Sequence, residues 1–138
     1  MTTSKKTSST KQTSSTKAQG TCKDPSGGKY AFSADGHLLK GNPHEGPVAW
    51  AGYISFDHGI INGNDTVNYA DDSPVERTFT GTYRVGSNCE VLVDFSFTLN
   101  DPHATAASAS LYFANAMKEF RMVQKDEFRV CSGSGIKV

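Results

Sequence analysis

At 138 residues, with 36% hydrophobic residues and a formal charge of zero, the chain holds one domain plus an extension. The neutrality conceals an asymmetry: residues 1–23 hold five lysines and no acid, which leaves residues 24–138 near −5. That sign argues against a basic nucleic-acid-binding face, and no run of about 18 apolar residues exists to cross a bilayer as a helix.

The extension contains Lys5, Lys6, Lys11, Lys17 and Lys23, and Thr7-Ser8-Ser9-Thr10-Lys11 recurs as Thr13-Ser14-Ser15-Thr16-Lys17. Such a segment buries too little apolar area to offset its ordering entropy and is expected to be a disordered tail. The functional alternative is a basic arm for an anionic partner. No apolar stretch follows the lysines, so the chain as written carries no secretory leader and reads as cytoplasmic. A different native start would leave secretion open.

The rest reads as successive strands. Asp24-Pro25-Ser26-Gly27-Gly28 is a loop signal, followed by a strand over 29–33 with Tyr30 and Phe32 on one face. Residues 35–47, with three glycines and two prolines, are expected to be a loop holding His37 and His44. The clearest strand is 48–56, where Val48, Trp50, Gly52, Ile54 and Phe56 alternate with Ala49, Ala51, Tyr53 and Ser55. After a turn at 57–59 comes a strand over 60–69. Its Asn62, Asn64, Thr66 and Asn68 are all polar, so Ile61, Gly63, Asp65, Val67 and Tyr69 must face inward. The strand over 76–85 turns Arg77, Phe79, Gly81, Tyr83 and Val85 to the same side, with a row of threonines outside. The strand over 89–99 places Val91, Val93, Phe95 and Phe97 inside, and the strand over 105–113 does so with Ala107, Ala109, Leu111 and Phe113. Two more strands are expected, over 117–123 with Phe120 and Met122 inward, and over 127–138 with Phe128 and Val130 inward.

Short connections favour sequential antiparallel pairing, and about eight such strands close into an up-and-down barrel without exposed edges. The fold class is therefore all-β, an eight-stranded antiparallel up-and-down barrel of lipocalin-like form over residues 24–138; a sandwich is the rival. The interior of such a barrel is just wide enough for side chains or one small ligand.

Cys22, Cys89 and Cys131 show neither metal-ligand spacing nor a CxxC pairing. They are either reduced thiols, or one disulfide with a thiol left over, for which Cys22–Cys89 is the leading pairing. Connectivity does not follow from sequence alone.

The runs Ala51-Gly52-Tyr53-Ile54-Ser55-Phe56-Asp57, Gly63-Asn64-Asp65-Thr66-Val67 and Arg77-Thr78-Phe79-Thr80-Gly81-Thr82-Tyr83-Arg84-Val85, followed by Cys89, resemble a set of bacterial small barrel proteins. Cys22 sits where that set often has its first cysteine, and the resemblance covers about residues 22–97. In fold the set is similar to the allene-oxide-cyclase-like barrels within the wider lipocalin-like group. This implies a barrel and, more loosely, cofactor-free cyclisation, ligand carriage or a filled module, because fold does not fix function.

Asp65 and Arg77 fall on inward positions of adjacent strands. A symmetric hairpin would set 65 opposite 79 and 67 opposite 77, making the two diagonal neighbours within reach of each other. They read either as a polar anchor for a substrate carbonyl or carboxylate, or as a structural ion pair. Trp50, Phe79, Phe95, Phe113 and Phe120 form either core packing or the wall of a site for an apolar or polyunsaturated guest. Tyr83 is an inward phenol able to donate to a developing enolate. His37, His44, His58 and His103 fall in loops and turns without metal-site spacing. No nucleophile motif, phosphate loop or dinucleotide fingerprint is present, so no cofactor and no metal are expected.

The leading functional expectation is a cofactor-independent cyclase or isomerase acting inside the barrel, with Asp65, Arg77 and Tyr83 polarising the substrate. The alternatives are a non-catalytic binding barrel for a small hydrophobic molecule and a filled structural module. No nucleic-acid or membrane partner is expected, and the small size leaves a homo-oligomer open. A dry interior void of roughly 300 Å³ or more would mark a ligand site.

Overall fold

The computed structural model describes residues 22–70, 73–98, 106–124 and 126–138. The expected tail therefore lies outside the described residues up to position 21, as do Asp71, Asp72 and His103. Eight strands follow one another: β1 (Lys29–Leu38), β2 (Gly46–Asp57), β3 (Ile60–Tyr69), β4 (Val75–Val85), β5 (Val91–Thr98), β6 (Ala106–Ala114), β7 (Glu119–Gln124) and β8 (Arg129–Lys137). Each pairs antiparallel with the next, and β1 also pairs with β8, which closes the barrel. Among the described residues no helix is long and apolar enough to cross a membrane.

Period-two patterning puts β2 to β5 in place as the sequence predicts. Ile54, Phe56, Ile61, Val67, Phe79, Val91 and Val93 are buried, while the Asn and Thr rows between them are exposed. The β2–β3 hairpin turns through His58 and Gly59, both at positive φ (47° and 85°). That is the pattern of a two-residue loop whose twist matches the strands, and glycine takes it without strain.

The barrel has two unlike ends. At the floor, Tyr30, Phe56, Phe113 and Phe120 meet edge to face, with ring centroids 5.3–5.8 Å apart. Residues 24–28 lie beneath them. Gly27 N donates to Phe56 O (2.8 Å), Phe56 N donates to Gly28 O (3.0 Å), and Cys22 is disulfide-bonded to Cys89. The mouth is the opposite end, where residues 39–45 join β1 to β2. Leu38, Val48, Val67, Tyr69 and the free, buried Cys131 pack there, and burial pushes the Cys131 thiol up from its ordinary pKa.

Three expectations are corrected. First, β1 runs through 35–38 rather than ending at 33, and the loop shrinks to 39–45. The glycine that reads as a loop signal is needed within the ladder: a Cβ on Gly36 would lie 2.0 Å from Val130 O. His37 is thus an exposed strand residue and not a loop one. Second, the β3–β4 register is two residues tighter than a symmetric 70–75 loop gives, so Asp65 faces Arg77 directly and Val67 faces Val75. A two-residue shift keeps every side chain on its face, which is why the inward set survives. Third, the inward parity of β8 is reversed. Val130 (63% exposed) and Phe128 (44%) face solvent, while Cys131, Gly133 and Gly135 face inward. The large rings of neighbouring strands already fill that space: a Cβ on Gly135 would sit 2.3 Å from the Phe120 ring. Substituting Gly135→Ala forces Phe120 out of its edge-to-face seat. It is expected to destabilise the barrel by about 1–3 kcal/mol, read as a lower urea midpoint with an unchanged m value.

Candidate functional site

Inward rows of β3 and β4 bring Asp65 and Arg77 together under the mouth. Arg77 Nε donates to Asp65 Oδ1 at 2.9 Å and Nη2 donates to Oδ2 at 2.8 Å, a two-pronged pairing. The side chains are 2% and 7% exposed for Asp65 and Arg77. Arg77 Nη1 also donates to Tyr69 Oη at 3.4 Å, and the guanidinium lies 4.0 Å over the Phe97 ring. Three of the five guanidinium N–H donors are thereby engaged among the described residues. Gly52, opposite Asp65, is where β2 comes closest: a Cβ there would meet Asn64 O at 1.9 Å.

An interior cavity runs from this pair down to Phe120. Its wall includes Phe32, Trp50, Phe79, Phe95 and Phe97, and its upper part includes His44, Tyr69, Gln124 and Arg129. The cavity has an open volume of about 50 Å³. A water needs about 10–15 Å³ on that measure, so the lumen has room for a few waters or one small ring. This falls well short of the roughly 300 Å³ void typical of drug-sized sites.

Of the residues expected to form the site, the structure brings Asp65, Arg77, Trp50, Phe79, Phe95 and Phe120 to this cavity. Tyr83 and Phe113 belong instead to the floor. Tyr83 Oη donates to Asp24 Oδ1 at 2.7 Å, and Phe113 packs on Tyr30 and Phe56. Burial pushes the Tyr83 phenol up from its ordinary pKa; the Gly59 backbone lowers it, and the Asp24 carboxylate works in the same direction as burial.

Other residues line the cavity without being singled out in the sequence, among them Tyr69, Phe97, Arg129 and His44. Tyr69 and Phe97 were on inward rows and could have been added on that ground. Arg129 shares the inward row of β8, which hydrophobicity assigns to the outside; it is tied to Asp126 at 2.6 Å. His44 comes from the mouth loop and stacks on Tyr69 with centroids 3.9 Å apart and rings 10° from parallel. No periodic signal foretells it. Among the described residues no group of three or more His, Cys, Asp or Glu is placed to hold a metal.

These features define a closed eight-stranded antiparallel barrel with an aromatic lumen and the buried Asp65–Arg77 ion pair near its mouth. Among solved structures, the chain is similar to a de novo designed fluorescence-activating β-barrel. The TM-score is 0.50 with 14% identity, over 80% of this chain and 92% of that one. At that identity the likeness speaks for the fold alone. The chain matches no protein-family model and no curated protein.

Removing one partner of the ion pair strands the other charge in the lumen. Arg77→Ala is expected to cost about 3–5 kcal/mol, while the double change Asp65→Leu with Arg77→Met recovers most of that loss, both by urea unfolding. Alkali acts at the other end. Tyr30 and Tyr83 both have raised pKa values through burial, so the folded state holds their protons more tightly than the unfolded chain. Their contribution is full below about pH 10 and is lost as pH rises through the raised values. In a Cys131→Ala background, the urea midpoint is expected to fall above about pH 10, and less steeply in Tyr83→Phe.

Proposed function

We propose that this protein is a binding barrel: it takes up a small, mainly apolar molecule in its lumen and holds it without transforming it. The observation that carries this reading is the composition of the cavity, an aromatic wall with one charged pair at its upper edge. Pockets for small molecules are built this way, mostly apolar with a few placed polar groups. The cavity volume limits the guest at rest to about one ring. Larger guests would require the half-buried Trp50 or Phe97 to swing aside.

Cofactor-free cyclisation on the pattern of the allene-oxide-cyclase-like group is the less favoured reading. It needs a proton donor or acceptor touching the guest. Tyr83 is engaged with Asp24 at the floor, and both Asp65 oxygens accept from Arg77. The kinship with bacterial lipocalin-like barrels belongs to the proposal too, resting on the sequence runs through β2, β3 and β4. The Cys22–Cys89 disulfide supports an oxidising compartment rather than the cytoplasm.

Trp50 is the chain's one tryptophan and lines the cavity, so its emission reports occupancy. Titration with toluene is expected to change Trp50 fluorescence saturably, with one equivalent bound by calorimetry and the toluene recovered unchanged. No saturable change up to the solubility limit would favour the filled module, and chemical conversion of a bound guest would favour the enzyme.

A further inference from the structure

Building on the binding reading, we infer that the lumen selects a single-ring aromatic compound bearing a neutral hydrogen-bond acceptor, such as an aryl ketone or aldehyde, with its carbonyl oxygen directed at Arg77. The argument begins with donor counting. The guanidinium offers five N–H groups, of which two are engaged with Asp65 and one with Tyr69 among the described residues. One N–H on Nη1 and one on Nη2 are left over, on a side chain that lines the cavity and is almost fully buried. Buried donors find an acceptor, from water or from a guest. A carbonyl oxygen has two lone pairs and accepts such a pair of N–H groups.

Charge then narrows the class. Asp65 already neutralises Arg77 through two short contacts. A guest carboxylate would bring a second anion beside Asp65 in a buried site, and a guest ammonium would face Arg77. Both arrangements place like charges together where screening is weak. A neutral acceptor takes the two remaining N–H groups without either penalty. Shape supplies the rest. Phe32, Trp50, Phe79, Phe95 and Phe97 wall the space below Arg77, with Phe79 lying 5.5 Å from Phe95 and 6.0 Å from Phe97, centroid to centroid. Rings this close touch one another and turn their faces and edges to the open space, where a planar guest ring packs edge-on or offset, and the roughly 50 Å³ of open volume limits it to one.

The test uses acetophenone and its isosteric hydrocarbon α-methylstyrene, in which C=CH₂ replaces C=O. Each is titrated into the disulfide-bonded protein and into the Asp65→Leu/Arg77→Met double variant, with Trp50 emission as the readout. The ratio of the two dissociation constants is expected to shift at least tenfold toward acetophenone in the unmodified protein relative to the double variant. A second measurement needs no variant: the carbonyl stretch of bound acetophenone is expected at lower wavenumber than in hexane. If α-methylstyrene binds but the ratio does not move, or the stretch stays at its hexane position, the acceptor inference is overturned and the binding barrel stands. If neither compound binds, the binding reading fails and takes the inference with it.

Discussion

The structure depends on the ladder between its first and last strands. β1 pairs with β2 along one edge and with β8 along the other, so none of the eight strands keeps an open edge. Closure turns alternation within each strand into an inside and an outside for the molecule as a whole. It also makes strong demands on the closing strand. β8 must come close to β1 and β7 at once while large rings occupy the interior, and it does so by presenting Cys131, Gly133 and Gly135 inward. The glycines cost backbone entropy, which is offset by the close approach to β1 that Gly133 permits and by the aromatic floor that Gly135 makes room for.

Within that cylinder the Asp65–Arg77 pair is an expensive choice. Two apolar side chains of similar volume would hold β3 and β4 together nearly as well. The pair is almost fully buried, is gripped at two points, and has a third contact at Tyr69 and a ring face at Phe97. Its position matters more than its contribution to stability. It sits where the apolar lumen gives way to the polar side chains of the mouth, and Arg77 is part of the cavity lining. The floor is the reverse case: there Tyr30 Oη donates to Met117 O at 2.6 Å and Tyr83 Oη donates to Asp24, so the phenols are used in holding the end shut.

Much of this was legible in the chain. The alternation in β2, β3 and β4 fixed which residues face inward, and parity placed Asp65 beside Arg77 even though the pairing was two residues off. That error was harmless because an even slip leaves faces unchanged. Legibility failed where periodicity carries no information. In β8 small residues occupy the inward row and Val130 and Ile136 point outward (63% and 61% exposed), so hydrophobicity gives the wrong face. At 35–38, Gly36 looks like a turn residue and serves close strand contact. The destination of the Tyr83 hydroxyl depends on Asp24, 59 residues away, and His44 reaches Tyr69 from an irregular loop. Both are tertiary events with no local signature.

The disulfide and residues 24–28 fasten the start of the described chain to the closed end of the barrel, so Cys22 lies on the side opposite the mouth. Attachment through that side, whether to a surface, a scaffold or a fused partner, would orient the barrel like a cup on its stem. The mouth would point away from whatever holds it.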